Sequence, residues 1–110
     1  MVAYMKSPDY GMDFCVYEFS NEGLPEELGK VAIMEAIDYN TTEIKTDVMI
    51  NGMNVPYIRC IQNFEGKDYN TITYYLDGGD TIIEVEFWLD GDNAEELTDM
   101  IISTLSSTKN

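Results

Sequence analysis

From Thr42 to Leu89 apolar and polar residues alternate in four runs, and the alternation stays in phase across three turn signals. Successive side chains on a strand point to opposite faces, so this pattern predicts a twisted antiparallel sheet with one apolar face. A slip of one residue would send every side chain to the wrong side, and the turns therefore decide the assignment. Asp77-Gly78-Gly79-Asp80 is a tight-turn signal, because glycine accepts the positive φ of two-residue hairpin loops. With both glycines at the tip, Leu76 opposes Thr81, Tyr74 opposes Ile83, Ile72 opposes Val85 and Asn70 opposes Phe87.

Glu65-Gly66-Lys67-Asp68 folds the previous strand back in the same way, setting Tyr57 against Leu76, Arg59 against Tyr74, Ile61 against Ile72 and Asn63 against Asn70. Asn51-Gly52, a favoured hairpin dipeptide, puts Ile50 opposite Met53, Val48 opposite Val55 and Thr46 opposite Tyr57. The core face then carries Ile44, Val48, Ile50, Val55, Tyr57, Ile61, Ile72, Tyr74, Leu76, Ile83, Val85 and Phe87. Pro56 cannot donate a ladder hydrogen bond, so its strand has a bulge or an irregular start there.

Before this meander, Asp13 to Phe19 is rich in aromatic and β-branched residues and reads as an opening strand. A helix follows, with Pro25 near its first position, Glu26 and Glu27 in its first turn, and Leu28, Ala32, Ile33, Ala36 and Ile37 on one arc. Asn40-Thr41 ends it. After Trp88-Leu89, Asp92 or Asn93 caps a second helix with Glu95 or Glu96 three residues on, and Leu97, Ile101, Thr104 and Leu105 recur at helical spacing. The expected class is α+β: an antiparallel sheet, made of a four-stranded meander and an N-terminal strand, packed with two helices.

The 110 residues fit one domain, residues 1–110, without repeats or linkers. With 21 acidic residues against 6 basic ones the formal charge is -15, which excludes nucleic acid as a partner and disfavours anionic membrane surfaces. No stretch approaches the roughly 20 apolar residues of a membrane span. The opening Met1-Val2-Ala3-Tyr4 has no leader character and reads as a domain cut from a longer precursor. Cys15 and Cys60 lack metal-site or redox spacing and read as two buried thiols, with a disulfide requiring neighbouring strands.

The layout resembles the PsbP/Mog1-like fold of photosystem II extrinsic proteins, a Ran-binding protein and small bacterial lipoproteins. The resemblance is carried by Asp13 to Tyr17, the helix from Leu28 to Ile37, Ile50-Asn51-Gly52-Met53-Asn54-Val55-Pro56-Tyr57, Gly66-Lys67-Asp68-Tyr69 and Met100 to Leu105. It is a likeness of pattern and supplies no catalytic residues. It implies a secreted or envelope-anchored location, with the cytoplasm as the alternative. A secretion-chaperone-like α+β domain is the second resemblance.

The chain has no histidine, which removes histidine-assisted nucleophiles and histidine-ligated zinc, and it has no phosphate-binding loop. Glu84 and Glu86 project from one face about 7 Å apart, a separation compatible with a carboxylate-dependent hydrolase. Solvated charges explain the same pair, and no enzyme activity or cofactor is expected. Asp90, Asp92, Asn93 and Glu96 could approach calcium, but turn formation and helix capping account for them.

The second face of the sheet carries Ile58, Cys60, Gln62, Phe64, Tyr69, Thr71, Thr73, Tyr75, Ile82, Glu84, Glu86 and Trp88, half aromatic and half polar. Tyr69 is expected across from Trp88 and beside Phe64. Aromatic side chains next to carboxylates suit recognition of a protein or a basic ligand. The candidate binding residues are Phe64, Tyr69, Tyr75, Glu84, Glu86 and Trp88, unless a helix covers the strip as a second core layer. The favoured function is a non-enzymatic interaction module. The oligomeric state is open, with a free sheet edge and seven methionines permitting self-association.

Overall fold

The β-branched and aromatic runs form long antiparallel strands in the computed structural model, which describes residues 3–7, 12–50 and 52–89. In chain order these are β1 (Ala3–Ser7), β2 (Met12–Ser20), α1 (Leu28–Ala36), β3 (Thr41–Lys45), β4 (Met49–Ile50), β5 (Met53–Asn54), β6 (Tyr57–Phe64), β7 (Lys67–Asp77) and β8 (Thr81–Leu89). Among the described residues six strands form one sheet in the order β1-β2-β8-β7-β6-β3, and β4-β5 is a separate hairpin. This corrects the expected fold class. The molecule is a small β-rich fold rather than an α+β domain with two helices, and α1 is the one helix among the described residues.

Two physical reasons account for the difference. The short segment Ala3–Ser7, followed in the sequence by the turn-favouring residues Pro8, Asp9 and Gly11 but too short to be read as a strand, pairs with β2 and widens the sheet. Helix α1 is only nine residues long, because the chain tightens into turns after Ala36 and the Thr41 hydroxyl donates to the Ala36 carbonyl at 2.8 Å. The second helix expected after Asp92, and the calcium reading of Asp90, Asp92, Asn93 and Glu96, lie outside the described residues. No helix among the described residues is long and apolar enough to cross a membrane.

Strands β6, β7 and β8 are neighbours in chain order, as the turn signals require, but both hairpins are offset by two positions from the expected pairing. Tyr74 opposes Val85 and Leu76 opposes Ile83, while Tyr57 opposes Tyr74 and Arg59 opposes Ile72. In the β7–β8 hairpin the tip is Gly79-Asp80. Gly79 has φ +89°, whereas the amide of Gly78 donates to the Thr81 carbonyl at 2.9 Å, and a Cβ on Gly78 would collide with the Thr81 side chain. In the β6–β7 hairpin Glu65 and Gly66, with φ of 52° and 82°, form the loop alone. A shift of two preserves the faces.

The third hairpin pairs Ile50 with Met53, and Val55 donates its amide to the Val48 carbonyl at 2.9 Å. Tyr57, however, faces Lys45 rather than Thr46. The chain breaks between β3 and β4, and this odd shift turns Ile44 to the second face, opposite Ile58, where it is 41% exposed. Pro56 immediately precedes β6 and accepts a hydrogen bond from the Tyr75 amide, the irregular start its missing donor requires.

Two cores result. On one face Val55, Ile72, Tyr74, Leu76, Val85 and Phe87 are buried, with Ile50, Met53 and Tyr57 packed against them. Ile61 lies on this face but remains 37% exposed opposite Asn70. On the other face α1 inserts Val31, Ala32 and Ala36 over Ile58, Cys60, Tyr75 and Ile82. The helix therefore buries an arc centred on Val31 and Ala32, while Ile33 and Ile37 of the expected stripe are exposed. Each fully buried large side chain contributes about 1.5–3 kcal/mol. Asn21 ties the approach to α1 onto the β7–β8 hairpin, its amide bonding the Asp80 carbonyl at 3.1 Å and its side chain the Gly79 carbonyl at 3.0 Å.

Candidate functional site

The second face is built in cross-strand rows. Tyr17, Glu84 and Tyr75 form one row, then Cys15, Glu86, Thr73 and Ile58, then Asp13, Trp88, Thr71 and Cys60, and finally Tyr69 with Gln62. Helix α1 covers the rows toward the β7–β8 turn and reaches Cys60. The remaining half is an open groove of about 630 Å³ lined by Asp13, Cys15, Tyr17, Phe64, Glu65, Lys67, Tyr69, Glu86 and Trp88. The strip is thus divided among the described residues: one part is a second core layer under α1 and the other is an open groove.

Trp88 organises the open half. Its Nε1 donates to Glu86 Oε1 at 2.8 Å, and the edges of Tyr69 and Phe64 meet its ring at centroid distances of 5.6 and 6.3 Å. Trp88 lies directly across from Thr71, so Tyr69 reaches it diagonally rather than from the opposite position. Gln62 Nε2 bridges Thr71 Oγ1 at 2.9 Å and Glu86 Oε2 at 3.3 Å. The carboxylate of Glu86 is thereby held against the rings. The Lys67 ammonium sits 4.9 Å from the Tyr69 ring centroid, a cation over an aromatic face.

Burial and the charge of Glu86 push the Cys15 thiol above its ordinary range, and the same two causes raise the Tyr17 phenol to about 12. Both are neutral walls of the groove at physiological pH. Cys15 and Cys60 are buried and free. They stand on β2 and β6 with two strands between them, about 14 Å apart at ordinary strand spacing, too far for a bridge.

Of the residues expected to act together, Phe64, Tyr69, Glu86 and Trp88 line the groove. Tyr75 and Glu84 do not. Tyr75 is fully buried beneath α1, where its hydroxyl donates to Glu35 Oε2 at 2.6 Å. Glu84 hydrogen-bonds Glu35, and its carboxyl is raised to about 9, first by burial, then by that hydrogen bond and by the negative charges of Glu35 and Glu86. The two glutamates weighed as the alternative carboxylate pair thus have different partners, one under the helix and one in the groove. Asp13, Cys15 and Tyr17 were not anticipated in the site, although the alternation of their strand was legible; what sequence did not show was that β2 lies beside β8. Among the described residues no cluster of three or more histidine, cysteine, aspartate or glutamate side chains is arranged to hold a metal ion.

No protein-family model matches the chain, and no curated protein is significantly similar to it in sequence.

Proposed function

We propose that this chain is a non-enzymatic binding module that takes a basic partner in the groove beside Trp88. The observation that supports this best is the division of one sheet face: α1 seals one half, while Phe64, Tyr69 and Trp88 surround Glu86 in a half that stays open. Aromatic rings give rigid contact area and attract cations, and a carboxylate fixed beside them adds charge selectivity. Asp13 and Glu65 extend the acidic rim, in a chain whose formal charge is -15. The setting we propose is the cell envelope or the exterior, as part of an anchored or secreted protein, on the strength of the likeness to PsbP/Mog1-like lipoprotein domains.

Trp88 is the chain's only tryptophan and lies partly exposed in the groove, so its emission reports directly on occupancy. Tetralysine at low ionic strength should change that emission saturably, and Glu86→Gln should weaken the response. Followed by calorimetry, Trp88→Ala should lose roughly tenfold or more in affinity while the melting curve is retained. Emission indifferent to tetralysine, or a Trp88→Ala chain that no longer folds, would overturn the reading.

A further inference from the structure

Strand β3 is an edge of the six-stranded sheet, and among the described residues no strand pairs with its outer side. Beside that edge the outer surface of α1 and the turn after it expose large apolar side chains: Ile37 is 81% exposed, Ile33 47%, Met34 46% and Ile44 41%. Ile33, Ala36, Ile37 and Ile44 line a shallow depression of about 430 Å³, with Thr41, Thr42 and Glu43 of β3 completing its wall. A contiguous apolar patch of this kind marks an interaction site, and the edge next to it offers unpaired backbone donors and acceptors.

The order of residues along β3 identifies what fits there. When two copies of β3 run antiparallel about a two-fold axis at Ile44, Ile44 meets the partner's Ile44, Glu43 meets the partner's Lys45, and Lys45 meets the partner's Glu43. Every contact is reciprocal, as a two-fold interface requires. Opposite charges directly across two strands attract, whereas like charges there repel. Ile44 projects on the α1 side, where it is paired with Ile58, so the depressions of the two copies adjoin across the axis. The charged pairs fall on the opposite face, where Glu43 Oε1 is held at 3.0 Å by the Tyr57 hydroxyl and at 2.9 Å by Arg59 Nε. Lys45 on the edge strand, with Arg59 one strand in and paired to Glu43, places two of the chain's six basic residues at or beside this edge, which lowers the repulsion that two acidic molecules would otherwise feel.

We propose that β3 pairs with β3 of a second copy, joining two sheets into one across Ile44 and closing the apolar depressions beside the two α1 helices. Sedimentation of the wild-type chain at rising concentration should pass from the mass of one chain to that of two. Ile44→Glu should abolish this. Lys45→Glu and Glu43→Lys each set like charges across both ends of the junction, and each should weaken self-association by about tenfold or more. An equimolar mixture of the Lys45→Glu chain with the Glu43→Lys chain recreates opposite charges at both ends and should pair as well as wild type. Melting curves control for folding; if Glu43→Lys melts early because it loses Arg59, the exposed positions Ile44 and Lys45 decide alone. Wild type that remains single at every concentration, exposed-site variants that still pair, or a mixture of folded chains that stays apart would each overturn the proposal.

Discussion

Glu84 and Glu35 are two carboxyls joined by a hydrogen bond, an arrangement that requires a proton between them. Among the described residues the groups facing Glu84 are Glu35 on α1, Tyr75 on β7, Tyr17 on β2 and Glu86 on its own strand, with Tyr39 close enough to feel its charge. None of them is a cation. The Tyr75 phenol, raised far above its ordinary value by burial and by Glu35, remains a hydrogen-bond donor throughout. The sign of the pH effect follows from the carboxyl: folded Glu84 keeps its proton up to about 9, whereas the unfolded chain releases it near 4.5. Its contribution is complete below the unfolded value and is lost as pH rises through that window. Chemical denaturation followed from pH 5 to 9 should therefore show declining stability. Glu84→Gln, which preserves a donor toward Glu35 and cannot ionise, should flatten the decline.

The β6–β7 hairpin turns on Glu65-Gly66 with both residues at positive φ, the signature of a type I′ turn. Glycine adopts that conformation at little cost, whereas glutamate adopts it under strain. Glu65→Asn should thus raise stability by roughly 0.5–1 kcal/mol, read as a higher denaturation midpoint at unchanged slope. The same hairpins show what was legible in the sequence. Turn dipeptides located both reversals, and because each tip was displaced by one residue, pairing moved by two and Ile72, Tyr74, Val85 and Phe87 remained core. Where the displacement was odd, as at Ile44 beyond the break at Thr46 to Val48, the face inverted. Four of six candidate binding residues reached one groove for the same reason, whereas Tyr75 and Glu84 were drawn away by Glu35, a helix position whose inward aim the apolar pattern of α1 did not reveal. Strand adjacency at long range, β2 against β8, leaves no local signal at all.

For the molecule as a whole, the formal charge of -15 opposes compaction, and 21 acidic residues face only 6 basic ones. Screening relieves that repulsion, so about 0.5 M sodium chloride at neutral pH should raise the melting temperature by a few degrees. The half-buried carboxyl pair beneath α1 is screened less than surface charges are, which separates it from the general effect: salt should shift wild type and Glu84→Gln together, while pH should distinguish them. The clasp at Asn21 has a consequence for the chain as a polymer. With Ser20 held in the sheet opposite Thr81 and Asn21 pinned to Gly79 and Asp80, the stretch from Glu22 to Glu27 is a short tether whose start is fixed at the β7–β8 tip. Closing so short a loop costs little entropy, since each doubling of length adds only about 0.6 kcal/mol, and that small cost favours a nine-residue helix with no side-chain cap.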